Sequence, residues 1–256
     1  ARVLRARKPL VAPAGSANVK RFFDITVTLF AAITWLPAVA VCIVAIWVLD
    51  GRPIFYRSTR RVFRDQSMRV VKFRTMRRDA ERIANRDTVP MAGTRFLNIE
   101  KDSPLYTWIG RQIERCAFTE LPQLFHVLAG RMSLVGNRPL PENVIAALRQ
   151  AIPWTEDRFA TPAGITGPIQ LAGRERLSDV QRIVLESSYC RVAHSSYSMW
   201  LDFQILFFTV LVVTGLHRPF SFSEIRQLVA RFDRGKVLDA AAFADEVIEG
   251  ESGPPR

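Results

Sequence analysis

The longest apolar stretch in the chain is "ITVTLFAAITWLPAVAVCIVAIWVL", uncharged from Ile25 to Leu49. About 20 such residues suffice to cross a bilayer as a helix, whereas the apolar core of a signal peptide runs to only about 7–15. The pattern predicts a membrane element over 20–50, preceded by a basic juxtamembrane segment over 1–19. Beyond it, "RPIFYRSTRRVF" and "SMRVVKFRTM" read as two short strands joined at Arg64–Gln66. Helical spacing then takes over in "RRDAERIA", after Thr119, over Asn143–Ala151 and over Asp179–Val192. A second apolar run, Phe203 to Leu216, is too short to span easily and is expected to lie at the interface or pack on the domain. The tail from Ser221 offers two short helices, "SEIRQLVARF" and "VLDAAAFADEVIE". The expected fold is α/β and mostly helical: a small cytosolic domain with few strands over 51–216, seated on amphipathic segments, and a C-terminal helical extension over 217–256.

Charge sharpens the membrane question. The formal net charge of +12 points to an anionic partner. Arg2, Arg5, Arg7, Lys8, Lys20 and Arg21 precede the apolar run; Arg52, Arg57, Arg60, Arg61, Arg64, Arg69 and Lys72 follow it. Cations favour the cytoplasmic side, so both flanks belong on one face, which a straight crossing does not allow. A helix that bends and returns does allow it. Pro37 supplies a cause for the bend, and Thr34 a hydroxyl for a freed carbonyl. An ordinary single span with a proline kink is the competing reading. Lys and Arg beside an anionic leaflet contribute about 1 kcal/mol each, so membrane lipids account for much of the charge. The aromatic platform or recognition helix of nucleic-acid readers is not evident, and nucleic acid is not expected as a partner. Cys42, Cys116 and Cys190 form no CxxC pair, and with three histidines neither a disulfide framework nor a zinc site is indicated.

Four patches are richer in polar groups than packing requires. "KFRTM", Lys72 to Met76, puts Lys72 and Arg74 on one strand face by alternation. Thr119 and Glu120 open a helix that stops near Gly130; Thr119 reads as its N-cap, and unpaired N–H groups there would favour a phosphate. "GNRP", Gly136 to Pro139, holds Asn137 and Arg138 between turn formers. "AGITGPIQLAGR", Ala163 to Arg174, is a glycine-punctuated loop carrying Gln170 and Arg174. Each has a bland alternative: a lipid-facing strand, a simple cap, an arginine tying down a loop, a chance GxxG. Together they describe a basic, glycine-lined pocket suited to a diphosphate and one carboxylate-held metal.

Taken in order, "KRFFD", Leu36-Pro37, "KFRTM", "ELPQLFHVLAGRMSLVGNRP", "AGITGPIQLAGR" and "LDFQILFFT" resemble the bacterial polyprenyl-phosphate phosphoglycosyl transferases, the monotopic sugar-transferase family. The resemblance runs from about Lys20 to about Thr214. It implies a monotopic protein on the cytoplasmic face of the bacterial inner membrane, held by a re-entrant helix broken at Leu36-Pro37. It implies transfer of a sugar phosphate from a nucleotide diphosphate sugar to a polyprenyl phosphate, with release of the nucleoside monophosphate, as the first step of glycan assembly. The family's route is ping-pong through an Asp nucleophile, with the adjacent Glu holding Mg²⁺. Lys72, Arg138, Thr119 and Glu120 are the catalytic candidates; Arg74, Arg115, Asn137, Gln170 and Arg174 are the substrate-binding ones. A homo-oligomer and a glycan-assembly partner are both compatible with the resemblance.

The family's Asp-Glu pair falls on Thr119-Glu120, so the metal-binding Glu is kept and the nucleophilic Asp is not. A threonine hydroxyl needs a base where a carboxylate does not. Other departures are Glu114, Ser58, Val62 and Asn137, and a "DPRIT" that has become "DSPLYT". Three routes stay open for an active enzyme: attack by Thr119, attack by Glu120, or direct attack by the lipid phosphate. A non-catalytic relative that binds donor or lipid is the alternative.

Overall fold

The computed structural model describes residues 14–80, 103–152, 154–173 and 177–234. The second half of the helix expected over "RRDAERIA", all of "VLDAAAFADEVIE" and the candidate Arg174 lie outside them.

Two helices form the N-terminal element, α1 (Ala14–Phe30) and α2 (Ala32–Leu49). The chain breaks at Ala31, not at Leu36-Pro37, and α2 runs through Pro37. Hydrogen bonds gather at the break. The Thr34 and Trp35 N–H groups both donate to Ala31 O at 3.0 and 3.1 Å, and the Thr34 hydroxyl adds a third donor at 2.7 Å. Trp35 Nε1 reaches back across the break to Thr28 O at 3.0 Å. Proline disturbs a helix interior without always ending it, where other groups take up the backbone's needs.

Among the described residues, α2 is the helix long and apolar enough to cross a membrane. It is nonetheless one-sided. Trp35, Val39, Cys42 and Ile46 recur at helical spacing and enter the core beside Ile113 and Leu124, while Val41, Val44 and Val48 are exposed. The sequence hides this, because α2 is apolar all round. Polar contacts tie α1 to the same body: Lys20 Nζ pairs with Asp202 at 2.6 Å, Leu134 N–H donates to Asp24 Oδ1 at 3.1 Å, and the Arg21 guanidinium donates to Leu128 O at 2.7 Å.

The expected hairpin is present as β1 (Phe55–Phe63) and β2 (Gln66–Phe73), antiparallel, with Tyr56 opposite Lys72. Helix α3 (Trp108–Arg115) follows, capped by the Thr107 hydroxyl, which accepts from Gly110 N–H at 3.0 Å. A 3₁₀ turn (Leu121–Gln123) leads into α4 (Leu124–Leu128), which ends before Gly130, where φ is +74°. Two segments expected as loops carry a short parallel pair, β3 (Ser133–Val135) and β4 (Gly164–Thr166). At three residues each they are too brief to show a period of two. Helices α5 (Glu142–Ala151), α6 (Pro168–Ala172), α7 (Asp179–Ser195), α8 (Met199–Val213) and α9 (Phe222–Ala230) complete the described fold, with a 3₁₀ turn over Thr155–Phe159. Helix α8 buries Leu201, Asp202 and Ile205 and exposes Trp200, Phe203, Phe207 and Val210, so it packs on the domain with an apolar face outward.

Glycines decide how closely the β3 and β4 loops meet. A Cβ on Gly164 would stand 2.1 Å from Gly136 N and 2.5 Å from Thr166 O, distances only backbone movement relieves. Gly164→Ala should therefore destabilise the protein by about 1–3 kcal/mol through overpacking. An unchanged urea midpoint would refute that close approach.

Candidate active site

Three of the sequence patches converge on one carboxylate. Lys72, at the end of β2, places Nζ 2.6 Å from Glu120 Oε1. Arg138, in the loop after β3, places Nη2 3.2 Å from the same oxygen. Lys72 and Glu120 are about one-fifth exposed, and Arg138 somewhat less, so the cluster is sheltered yet reachable. Two cations meet on one carboxylate oxygen, a setting for an anion.

The backbone explains the convergence. Phe73 N–H donates to Thr119 O at 3.0 Å, fastening the end of β2 to the turn that carries Glu120. That turn differs from the expected cap. The 3₁₀ segment starts at Leu121, with Glu120 in the capping position and no side-chain capping bond. The N–H groups of Leu121, Gln123 and Leu124 donate to Phe118 O, Glu120 O and Leu121 O, and Pro122 has no N–H. The tight turn thus uses the donors that a phosphate would have needed, and anion recognition falls to the side-chain cations. The Thr119 hydroxyl is buried and has no hydrogen-bond partner.

Arg138 is held from below. Its N–H donates to Glu186 Oε1 at 2.7 Å, and its carbonyl accepts from Arg158 Nη2 at 2.8 Å. Arg158 and Glu186 pair with each other at 2.5 Å, with side chains 1% and 2% exposed. A buried ion pair therefore grips both faces of one residue, the one that reaches Glu120. Burial pulls the Arg182 guanidinium below its ordinary pKa, with Asp179 and Glu186 opposing and Arg138 reinforcing. Sequence reasoning missed Arg158 and Glu186. In a chain with 36 Lys and Arg, neither stands out, and their pairing is a tertiary fact.

The remaining candidates divide. Arg74 is not beside Lys72 on a strand face: β2 ends at Phe73, and the Arg74 guanidinium donates to Pro53 O, Asp50 O, Gly51 O and Met76 O at 2.6, 3.1, 3.0 and 3.3 Å. It braces the exit from α2. Asn137 is fully buried, with both amide atoms unpartnered, and Gln170 Oε1 is likewise buried without a partner. Gly167 brings the Gln170 loop against Gly136, since a Cβ there would stand 2.1 Å from Gly136 O and 3.6 Å from Gln170 Oε1. Arg115 is exposed in the last turn of α3. Among the described residues no cluster of three or more His, Cys, Asp or Glu forms a metal cage. Mg²⁺ commonly binds through one or two carboxylates together with substrate phosphates, so Glu120 alone fits a metal that arrives on a diphosphate.

A sequence model described as bacterial sugar transferase matches residues 15–215. The chain belongs to the bacterial sugar transferase family. The matched span holds Lys72, Glu120, Arg138, Arg158 and Glu186, while α9 lies beyond it and packs on α6 and α7. Among curated proteins, it is 33% identical over 200 residues to undecaprenyl-phosphate glucose phosphotransferase of Komagataeibacter xylinus, covering 75% of this chain and 35% of that one. It is 34% identical over 203 residues to UDP-galactose-lipid carrier transferase of Erwinia amylovora, covering 77% and 41%. It is 28% identical over 207 residues to exopolysaccharide production protein ExoY of Sinorhizobium fredii, covering 79% and 88%. The chain thus spans well under half the length of the first two relatives and most of the third.

Proposed function

We propose that this sugar transferase moves a sugar phosphate from a UDP-sugar to undecaprenyl phosphate, releasing UMP, at the cytoplasmic face of the bacterial inner membrane. The observation that carries the reading is the meeting of Lys72 and Arg138 on Glu120 Oε1, a basic cluster built from three segments far apart in the chain. The relatives' names give the chemistry its terms: a glucose phosphotransferase and a lipid carrier transferase. Lys72 and Arg138 would bind and orient the diphosphate. Glu120 would hold Mg²⁺, which when bound offsets phosphate charge. Arg158 and Glu186 keep Arg138 in place. The test is UMP release from UDP-glucose, UDP-galactose or UDP-N-acetylgalactosamine in the presence of undecaprenyl phosphate and Mg²⁺. Turnover with one of these donors is expected, and none with any donor would overturn the reading.

A second reading has a specific observation behind it. The Thr119 hydroxyl has no partner, so no base is in place to activate it. A relative that binds donor and does no chemistry would give heat on titration with UDP-sugar and no UMP.

The membrane arrangement belongs to the same proposal. Both ends of the α1–α2 element touch one body, through Lys20 at one end and through Asp50, whose carboxylate accepts from the Thr107 hydroxyl at 2.5 Å, at the other. That supports a re-entrant element whose ends share a face, with the exposed side of α8 at the lipid interface. In a background with the native cysteines replaced by Ser, Ser16→Cys and Arg52→Cys should both react with an impermeant maleimide in inside-out vesicles and neither in right-side-out ones. Labelling of one from each side would establish a straight crossing.

A further inference from the structure

We propose that the segment from Leu216 to Phe232, which follows the family-matched span, is a clamp that positions the Arg138 loop for catalysis. This rests on the proposed transfer reaction and concerns what holds its site in shape.

The segment turns back onto the domain at Gly215, where φ is +77°. His217 N–H donates to Leu211 O at 3.0 Å. The Phe220 ring stacks on His217 at 4.6 Å and meets Phe208 of α8 edge-on at 5.0 Å. Helix α9 then begins on a reciprocal cap: Ser221 N–H donates to Glu224 Oε2 at 2.7 Å, and Glu224 N–H to Ser221 Oγ at 3.3 Å. Arg218 pairs with the same carboxylate at 2.5 Å. The inner face of α9, Ile225, Leu228 and Val229, is buried in the core that also holds Ile169, Leu171 and Ala172 of α6.

Helix α6 needs that cover. At five residues it is little more than one turn, too short to be held by its own hydrogen bonds. Phe220 N–H donates to Leu171 O at 2.9 Å, a carbonyl in the last turn, where intrahelical donors run out. Leu171 is wholly buried, so losing that donor would strand a polar atom among apolar ones. On its other side α6 bears on the site. Gly136 N–H donates to Thr166 O at 2.9 Å, and a Cβ on Gly167 would stand 2.1 Å from Gly136 O. Gly136 is two residues before Arg138, whose guanidinium reaches Glu120. Packing thus runs without a gap from α9 through α6 to the loop that carries Arg138. Loosening α9 uncovers α6, lets Gly167 drift from Gly136 and frees the loop.

The experiment uses the full chain in nanodiscs. Ile225→Ala/Val229→Ala thins the buried face of the clamp, Val229→Ala alone thins it less, and Gln227→Ala on the exposed side is the control. Hydrogen exchange is followed by mass spectrometry under conditions where urea curves show each variant folded. Faster exchange confined to residues 164–172 and 133–138 and to α9 itself is expected, with the 55–73 hairpin unchanged. The double variant should lose about 10-fold or more in kcat, since a displacement of about 1 Å far from the chemistry can cost about 10²-fold. Gln227→Ala should match the wild type in both measurements. Should the double variant not fold, Val229→Ala carries the same readings. Exchange that rises evenly along the chain, or an unchanged kcat while α9 opens, would overturn the clamp and leave the transfer reaction standing. A wild-type chain without turnover would overturn the transfer reaction, and the exchange pattern would still decide whether α9 holds the loop.

Discussion

Glu120→Gln is expected to lower kcat by about 10²–10³-fold, the scale typical of losing one preorganised charged group in an active site. The amide keeps the shape of the carboxylate but not its charge. Lys72 and Arg138, at 2.6 and 3.2 Å in the native protein, would then share a neutral amide oxygen that no longer offsets their mutual repulsion. Because these side chains remain partly exposed, water takes up the freed charges and stability should change little; exposed ion pairs contribute about 0–1 kcal/mol. The urea midpoint should therefore stay close to that of the wild type while turnover collapses. Binding of donor without metal should not weaken, since the variant cluster is more positive. A kcat within a few-fold of wild type would remove Glu120 from the chemistry.

The buried pair beneath Arg138 gives the second large effect, and it separates stability from activity. Arg158→Met alone strands the Glu186 carboxylate in the interior, and Glu186→Leu alone strands Arg158; each should cost about 3–5 kcal/mol. Such a loss is a large part of the roughly 5–15 kcal/mol that holds a domain together. Removing both charges at once is different, because replacing a buried ion pair by apolar side chains is often neutral or stabilising. The double variant should unfold at a higher urea concentration than either single one. Its turnover should nonetheless stay low, because the N–H and carbonyl of Arg138 lose the bonds at 2.7 and 2.8 Å that fix that residue. If turnover returned along with stability, the pair would be a packing feature without influence on the site.

The candidate site was partly legible along the chain. "KFRTM", Thr119-Glu120 and "GNRP" each stood out because charged residues lay among apolar or turn-forming ones, and the fold does bring Lys72, Glu120 and Arg138 together. The adjoining residues misled. Arg74 follows the last residue of β2, so the alternation that placed it beside Lys72 stops one position short. Thr119 looked like a cap because caps are usually Ser, Thr, Asp or Asn. The turn instead closes through backbone bonds after Phe118 and leaves the hydroxyl unpartnered.

Although the helix Pro168–Ala172 lies in a stretch that reads as loop, the sequence alone determined the long apolar element, the hairpin about Arg64–Gln66, the helices Glu142–Ala151, Asp179–Ser195 and Phe222–Ala230, and the family itself. Those features rest on periodicity and turn chemistry, which act over a few residues and are written locally. Tertiary structure decided the interruption at Ala31, the buried face of α2, the short parallel pair and the partners of Arg138. Lys72 and Glu120 lie 48 positions apart, as do Arg138 and Glu186, and no local pattern selects which of many cations meets which carboxylate. That choice follows from how the packed elements place their ends, where a buried charge must find a partner.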